Sequence, residues 1–276
     1  MQIGGILLEK HGIIILEVIE MKLSIIGLGS VGSAAYHTLT EFFETAGYDI
    51  DGRGSWESVL DSNATLVCVS TDGNNDGLLD MSRINSVMGR LSHSNFNGLV
   101  IVKSTLQPRT INSIKEKYPN LRLSYVPEFL REKDAEEWFK EPDRIVYSCD
   151  ESDESTLLEC FNWVDADIPR IKMSHLEAEF GKLAHNTYIA TKVTFTCEIE
   201  RICTINSIDA SKVMEVVWRD RRVNNPAHLT PYLGGFGGKC VPKDTLALAM
   251  EDPDLNSILH KLYERGEFSV VKERLE

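Results

Sequence analysis

The feature that most constrains this chain is six residues long. Gly27-Leu28-Gly29-Ser30-Val31-Gly32 reads G-x-G-x-x-G. Lys22-Leu23-Ser24-Ile25-Ile26 before it is a short apolar strand candidate, and Ala34-Ala35-Tyr36-His37-Thr38-Leu39 after it has a helical pattern. The motif by itself is weak; a strand running into it and a helix leaving it give it a physical meaning. The first glycine permits a tight turn, the second lets the backbone approach a pyrophosphate, and the third lets helix and strand pack closely. The free N–H groups of the helix N-terminus then face the phosphates. Gly27, Gly29, Ser30, Val31 and Gly32 are therefore candidate contacts to a dinucleotide.

Asp49 ends the next strand candidate, seventeen residues past Gly32. A carboxylate there can accept from the ribose hydroxyls and repel a 2′-phosphate, which favours NAD over NADP. Asp51 is a rival for that role, and Arg53 nearby works against the inference.

Strand candidates recur at Gly47–Ile50, Ala64–Ser70, Leu99–Lys103, Leu121–Val126, Arg144–Ser148 and Pro169–Met173. Between them Leu78, Met81, Ile84, Met88 and Leu91 make one helical stripe, and Ile111, Ile114 and Tyr118 another. Alternation of this kind implies βαβ units and a mostly parallel sheet. After Ser174 the texture changes. His175 to Cys203 contains no Pro and one Gly, and Ser174 with Glu177 forms a capping box, so a helix of roughly 30 residues is expected. A second helix is expected from Asp209 to Trp218 and another from Pro242 to Met250. The fold class is α/β: a Rossmann-like, doubly wound, mostly parallel sheet followed by a long central helix and a small all-α domain. The division reads 1–20 as an N-terminal extension, 21–173 as a Rossmann domain and 174–276 as the helical part. An extra edge strand from Gly12 to Ile19 is the alternative reading of the extension.

Composition removes several function classes. Lys plus Arg is 29 against 42 Asp plus Glu, a net charge of −13. A general nucleic-acid binder would need a basic footprint, so no nucleic-acid partner is expected. No apolar run reaches the roughly 18 residues of a membrane helix, and no basic region precedes one, so neither a membrane partner nor a signal peptide is expected. The six cysteines form no CxxC and no zinc spacing; no metal is expected, and a reducing, cytoplasmic setting is.

Four further stretches carry chemistry. Lys103-Ser104-Thr105 and Val126-Pro127-Glu128-Phe129-Leu130-Arg131-Glu132 follow strand candidates, where ligands sit in such sheets. Glu128 and Glu132 read as acid/base groups, or as salt-bridge partners of Arg131 or Lys133. Lys182 and Asn186 share a face of the long helix, able to hold an oxyanion and a hydroxyl. In Gly234-Gly235-Phe236-Gly237-Gly238-Lys239-Cys240-Val241-Pro242-Lys243-Asp244, Cys240 stands just before a helix start, with Lys239 and Lys243 beside it. That setting favours thiolate and describes an activated nucleophile.

In this order the segments resemble the nucleotide-sugar dehydrogenase family. The matching pieces are the Gly27–Gly32 loop, Thr71, Lys103-Ser104-Thr105, Pro127 to Glu132, Glu177-Ala178-Glu179 leading to Lys182 and Asn186, Asp220-x-Arg222, and Gly235 to Asp244. The resemblance implies oxidation of a sugar primary alcohol to a carboxylate in two NAD-dependent steps. Cys240 would form a thiohemiacetal and then a thioester. Lys182 and Asn186 would act on oxyanion and substrate. Asp244, with Thr105, would hold water, and Glu128 would act at hydrolysis. Thr71, Thr105, Glu132 and Lys243 would lie by the cofactor. Glu128, Phe129, Leu130, Arg222, Phe236 and Gly237 would meet the nucleotide sugar, Arg222 across a homodimer built on the long helix. The chain departs from the family at Leu233-Gly234-Gly235, where many members have Pro-Gly or Pro-Ser, and at Lys239, which replaces a common small residue. Members normally add a domain for the nucleotide half of the substrate, yet only 36 residues follow Cys240, against the roughly 100 a domain needs. A separate chain is one source of that domain. The competing readings are a β-hydroxyacid dehydrogenase-like enzyme and a non-catalytic NAD-binding remnant or subunit.

Overall fold

The computed structural model describes residues 5–10, 13–18, 21–74, 76–252, 254 and 257–265. In chain order its elements are β1 (Gly5–Lys10), β2 (Ile13–Val18), β3 (Lys22–Ile26), α1 (Ser30–Leu39), β4 (Glu44–Tyr48), α2 (Trp56–Leu60), β5 (Ala64–Val67), α3 (Ser82–His93), β6 (Leu99–Val102), α4 (Thr110–Lys117), β7 (Arg122–Tyr125), α5 (Ala135–Lys140), β8 (Ile145–Cys149), α6 (Glu154–Glu159), β9 (Arg170–Lys172), α7 (His175–Ile205), α8 (Ala210–Trp218) and α9 (Val241–Ala249). The chain divides into two compact units. The first is 1–70, 82–104 and 110–178; the second is 71–81, 105–109 and 179–276.

The first unit is built on a seven-stranded sheet in the order β4-β3-β5-β6-β7-β8-β9. Every pairing is parallel except β7 with β8. The expected doubly wound sheet is therefore present. Leu23 and Ile25 of β3, Leu66 of β5 and Leu99 and Ile101 of β6 form its apolar centre with Ala35 and Leu39 of α1 and with Phe139, Leu157 and Phe161. Full burial of one such aliphatic side chain contributes about 1.5–3 kcal/mol. Strand order reverses at β3, flanked by β4 and β5. Ligands of such sheets bind beyond the carboxyl ends of the strands at that point, where Gly27 leaves β3 and Cys68 leaves β5.

The structure moves several expected boundaries. The strand placed at Gly47–Ile50 is Glu44–Tyr48, because the chain folds back at once: Asp49 N–H donates to the Arg53 carbonyl at 2.9 Å. β3 has the expected limits, and the remaining sheet strands end one to three residues from theirs. Leu78 and Met81 precede α3. Gly73 and Leu79 bridge there in extended backbone, so only Ile84, Met88 and Leu91 form the buried helical stripe. Ile13–Val18 is a strand, but it pairs with β1 in its own two-stranded sheet instead of extending the large one. Gly12 and Ile19 lie outside the described residues.

The long helix is present at 31 residues. Its capping box closes as the sequence requires: Glu177 N–H donates to Ser174 Oγ at 3.3 Å, and Ser174 N–H donates to Glu177 Oε2 at 2.8 Å. Its buried stripe after Glu179 includes Lys182, Leu183, Asn186, Thr187, Ala190 and Thr194. In the second unit Leu183 packs with Leu79 and Ala247, flanked by Met81 and Leu248. Asp209 caps α8, accepting from Ser211 N–H at 2.8 Å. α9 opens with Cys240 at its N-cap and Pro242 in its first turn, where a missing N–H costs nothing.

Candidate active site

In the first unit each glycine of the loop has its own reason to be glycine. Gly27 has φ +91, open to glycine at little cost. A Cβ on Gly32 would lie 1.7 Å from the Gly27 carbonyl oxygen, whereas a Cβ on Gly29 would meet nothing within 4 Å. Position 29 is therefore vacant by shape, and position 32 is filled by backbone. Helix α1 starts at Gly29 with no side-chain cap and no acidic residue in its first turn, which leaves its N–H groups to an anion. This site fits the pyrophosphate of a dinucleotide. Gly29→Ala should keep the melting temperature and weaken NAD binding about tenfold. Gly32→Ala should cost about 3 kcal/mol or more of stability through overpacking. Thermal melts read beside calorimetric NAD titrations separate the two.

Asp49 is tied to that loop. Its Oδ2 accepts from Leu28 N–H at 2.6 Å, and its side chain remains 19% exposed. Asp49 Oδ1 accepts from Asp51 N–H at 3.3 Å.

Neighbouring parallel strands bring Lys103 and Glu128 together. Val102 of β6 pairs with Tyr125 of β7, and the residues that follow meet at 3.0 Å between Lys103 Nζ and Glu128 Oε2. The other carboxylate oxygen accepts from Phe129 and Leu130 N–H at 2.8 and 3.1 Å. Lys103 is 5% exposed and lies over the Phe139 and Phe161 rings. The salt-bridge partner of Glu128 is thus Lys103, and neither Arg131 nor Lys133, because strand register outranks sequence proximity. Glu128, Phe129 and Leu130 line a small cavity of about 40 Å³ with Lys103 and Arg144. The Glu132 side chain lies outside what the structure describes.

The second unit assembles another group. Asp244, fully buried, accepts from Asn186 Nδ2 on one oxygen and from Lys243 Nζ on the other, both at 2.6 Å. Lys182, 7% exposed, is one turn from Asn186 on the same helix face. Cys240 is one turn before Asp244 in α9 and is exposed. None of the six cysteines is in a disulfide bond. Desolvation pushes the Cys68 and Cys160 thiols up to about 12, against a lowering by the Lys103 ammonium at Cys68. Thr71 Oγ1 donates to the Thr105 carbonyl at 2.7 Å. A Cβ on Gly73 would lie 3.2 Å from Lys243 Cβ, so that segment runs close to α9. Phe236 is buried at 4% exposure, while a Cβ on Gly237 would meet nothing within 4 Å. Arg222 stands apart, 87% exposed and paired to Asp220 at 2.7 Å.

Sequence reasoning missed Lys103 as the partner of Glu128, gave Glu179 no role, and missed Gln107 and Glu251. Glu179 Oε2 accepts from Arg109 N–H at 2.6 Å, where Arg109 has φ +75. Gln107 donates to Glu251 Oε1 at 2.9 Å and accepts from Leu79 N–H at 3.2 Å. Together these pin residues 105–109, which carry Thr105. A signal for Glu179 was available: it shares with Lys182 and Asn186 a helix face otherwise made of small and apolar residues.

Among the described residues no cluster of three His, Cys, Asp or Glu could hold a metal ion, and no helix is long and apolar enough to cross a membrane.

Residues 53–163 match the family model described as UDP-glucose/GDP-mannose dehydrogenase family, NAD binding domain, and residues 176–263 match that family's central domain. The first match begins after the glycine loop and Asp49, so the reading of those residues rests on their geometry. A UDP-glucose 6-dehydrogenase of Haloferax volcanii is 30% identical over 242 residues, covering 79% of this chain and 55% of that protein. A GDP-mannose 6-dehydrogenase of Pseudomonas aeruginosa is 29% identical over 225 residues, covering 74% and 51%. The solved structure of a UDP-glucose dehydrogenase from the hyperthermophilic archaeon Pyrobaculum islandicum superposes with a TM-score of 0.80 at 28% identity, over 93% of this chain and 71% of that one. The chain spans about half the length of the curated relatives it matches.

Proposed function

The chain belongs to the UDP-glucose/GDP-mannose dehydrogenase family, and from that premise we propose that it oxidises a nucleotide sugar, UDP-glucose to UDP-glucuronate, in two NAD-dependent steps. The observation that carries the reading is the α9 N-terminus: an exposed, free thiol at Cys240 one turn before a buried carboxylate held between Asn186 and Lys243. Oxidation of an alcohol to an acid passes through an aldehyde, and a thiol at hand traps it.

The glycine loop and Asp49 would hold NAD, which would supply the hydride acceptor for each oxidation. The sugar C6 hydroxyl loses its proton as the first hydride leaves, giving the aldehyde. Cys240 Sγ adds to the carbonyl carbon and the oxygen takes a proton, giving a thiohemiacetal. Loss of the second hydride and the hydroxyl proton gives a thioester. Water then adds to the thioester carbon, the C–S bond breaks, and the carboxylate leaves with the Cys240 thiol restored. Lys182 stabilises the oxyanions and Asn186 orients the reacting oxygen. Asp244, with Thr105, holds water, and Glu128 acts at hydrolysis. Three donors fix the Glu128 carboxylate in one orientation, which supports that role. Thr71, Glu132 and Lys243 serve the cofactor; Phe129, Leu130, Phe236 and Gly237 serve the sugar.

The second part of the proposal is a homodimer through α7. Tyr188, Phe195 and Ile202 recur every seven residues and are 64%, 46% and 45% exposed, the spacing of a helix-to-helix seam. Phe195→Glu should halve the mass measured by light scattering. In the dimer Arg222 reaches the partner's substrate. Six cysteines, none of them in a disulfide, support a reducing, cytoplasmic setting.

The test is NADH formation with UDP-glucose, GDP-mannose and UDP-N-acetylmannosamine. UDP-glucose should be the best substrate. Absence of turnover with all three overturns the assignment in favour of a cofactor-binding subunit.

A further inference from the structure

The turn after β4 carries both classes of cofactor determinant: a carboxylate suited to free ribose hydroxyls and a guanidinium suited to a 2′-phosphate. Asp49 is bonded to the glycine loop through Leu28 N–H. Arg53 reaches the same place. Its Nη1 donates to the Leu28 carbonyl at 3.0 Å, and its Nη2 lies 3.5 Å from Asp49 Oδ2. Arg53 is also gripped by Asp51, with Nε 3.1 and 3.0 Å from its two carboxylate oxygens and Nη2 2.8 Å from Oδ2. The contact holds the Asp51 carboxyl below its ordinary range and the Arg53 guanidinium above its own.

The backbone makes this arrangement rigid. Asp49 N–H donates to the Arg53 carbonyl, and Gly52 and Gly54 take φ +98 and +74. A Cβ on Gly54 would lie 1.8 Å from the Gly47 carbonyl oxygen. A hairpin this tight fixes Arg53 beside the phosphate-binding loop, where its charge would otherwise invite a 2′-phosphate.

We propose that Asp51 is a specificity-determining residue: by pairing with Arg53 it withholds from NADP a phosphate-binding cation that the fold has already placed. The inference rests on the reading of this loop as the NAD site. Asp49 excludes the phosphate by direct repulsion. Asp51 excludes it by occupying the guanidinium and by adding a second negative charge, which a dianionic phosphate feels over several ångströms. Freed of that carboxylate, Arg53 can meet the phosphate in the bidentate geometry it favours.

Asp51→Asn is the informative variant. Asn keeps the oxygen that accepts from Arg53 N–H at 3.2 Å, so the turn is retained and only the charge is lost. Calorimetric titration of NAD and of NADP, into wild type, Asp51→Asn, and Asp51→Asn with Arg53→Ala, reads the outcome. NADP affinity should rise about tenfold in Asp51→Asn, with NAD affinity within about twofold. The gain should vanish in the double variant. An unchanged ratio of the two affinities in Asp51→Asn, or a gain that survives without Arg53, overturns the proposal while wild-type NAD binding leaves the site assignment standing. A wild type that binds neither nucleotide overturns both.

Discussion

Replacing Cys240 by Ser or Ala is expected to lower steady-state NADH formation from the nucleotide sugar by roughly 10³-fold or more, with no carboxylate product. The hydroxyl of serine is a far weaker nucleophile at neutral pH, and an ester in place of a thioester is hydrolysed slowly. Alanine offers no trap at all, so the aldehyde stays available for the reverse reaction. The prediction is sharp because the substitution leaves the fold alone. Cys240 is exposed, occupies the N-cap of α9, and makes no side-chain cap hydrogen bond there. Its loss removes no buried contact, and thermal melting of Cys240→Ala should match wild type. Activity that survives in Cys240→Ser would move the chain toward β-hydroxyacid dehydrogenase-like chemistry, which needs no thiol.

Asp244→Ala should show the opposite pattern, losing stability and activity together. The carboxylate is fully buried and meets Asn186 on one side and Lys243 on the other at 2.6 Å. The Lys243 side chain is 16% exposed, so removing Asp244 leaves a largely desolvated ammonium without its counter-charge. Breaking one half of such a pair costs about 3–5 kcal/mol. Asp244→Asn keeps the shape but neither the charge nor the second acceptor that its two donor partners need, and should recover only part of the stability and little of the turnover. Activity in both variants is expected to fall about 10²-fold or more. Denaturant midpoints beside kcat distinguish the structural part from the chemical part. An Asp244→Ala protein with wild-type midpoint and rate would remove Asp244 from the site.

The features legible in the sequence were those whose causes are local. The glycine loop was readable because backbone crowding at Gly32 and left-handed φ at Gly27 exclude other residues within a span of six. The start of α7 was readable because Ser174 and Glu177 satisfy each other's backbone donors three residues apart. Cys240 at a helix start was readable from Pro242 just beyond it.

What escaped was set by register and packing. Glu128 has two basic residues nearby in sequence, but the parallel pairing of β6 and β7 gives it Lys103 instead, 25 residues away. Asn186 and Asp244 lie 58 residues apart, and no periodicity in either helix announces that they meet. The antiparallel pairing of β8 likewise depends on where the chain returns after α5, which short apolar strands do not specify. Asp49 reads as a ribose acceptor from its place after a strand, but its bond to Leu28 N–H and its place in a hairpin with Arg53 depend on the left-handed turns at Gly52 and Gly54, which spacing does not specify.

The most direct test of the account is the stoichiometry of the reaction on this chain: NADH formed per molecule of UDP-glucuronate released from UDP-glucose. Two hydride transfers joined by a Cys240 adduct predict two NADH for each carboxylate, with no free aldehyde. One NADH per sugar with an aldehyde product, or NAD binding without turnover, would contradict it.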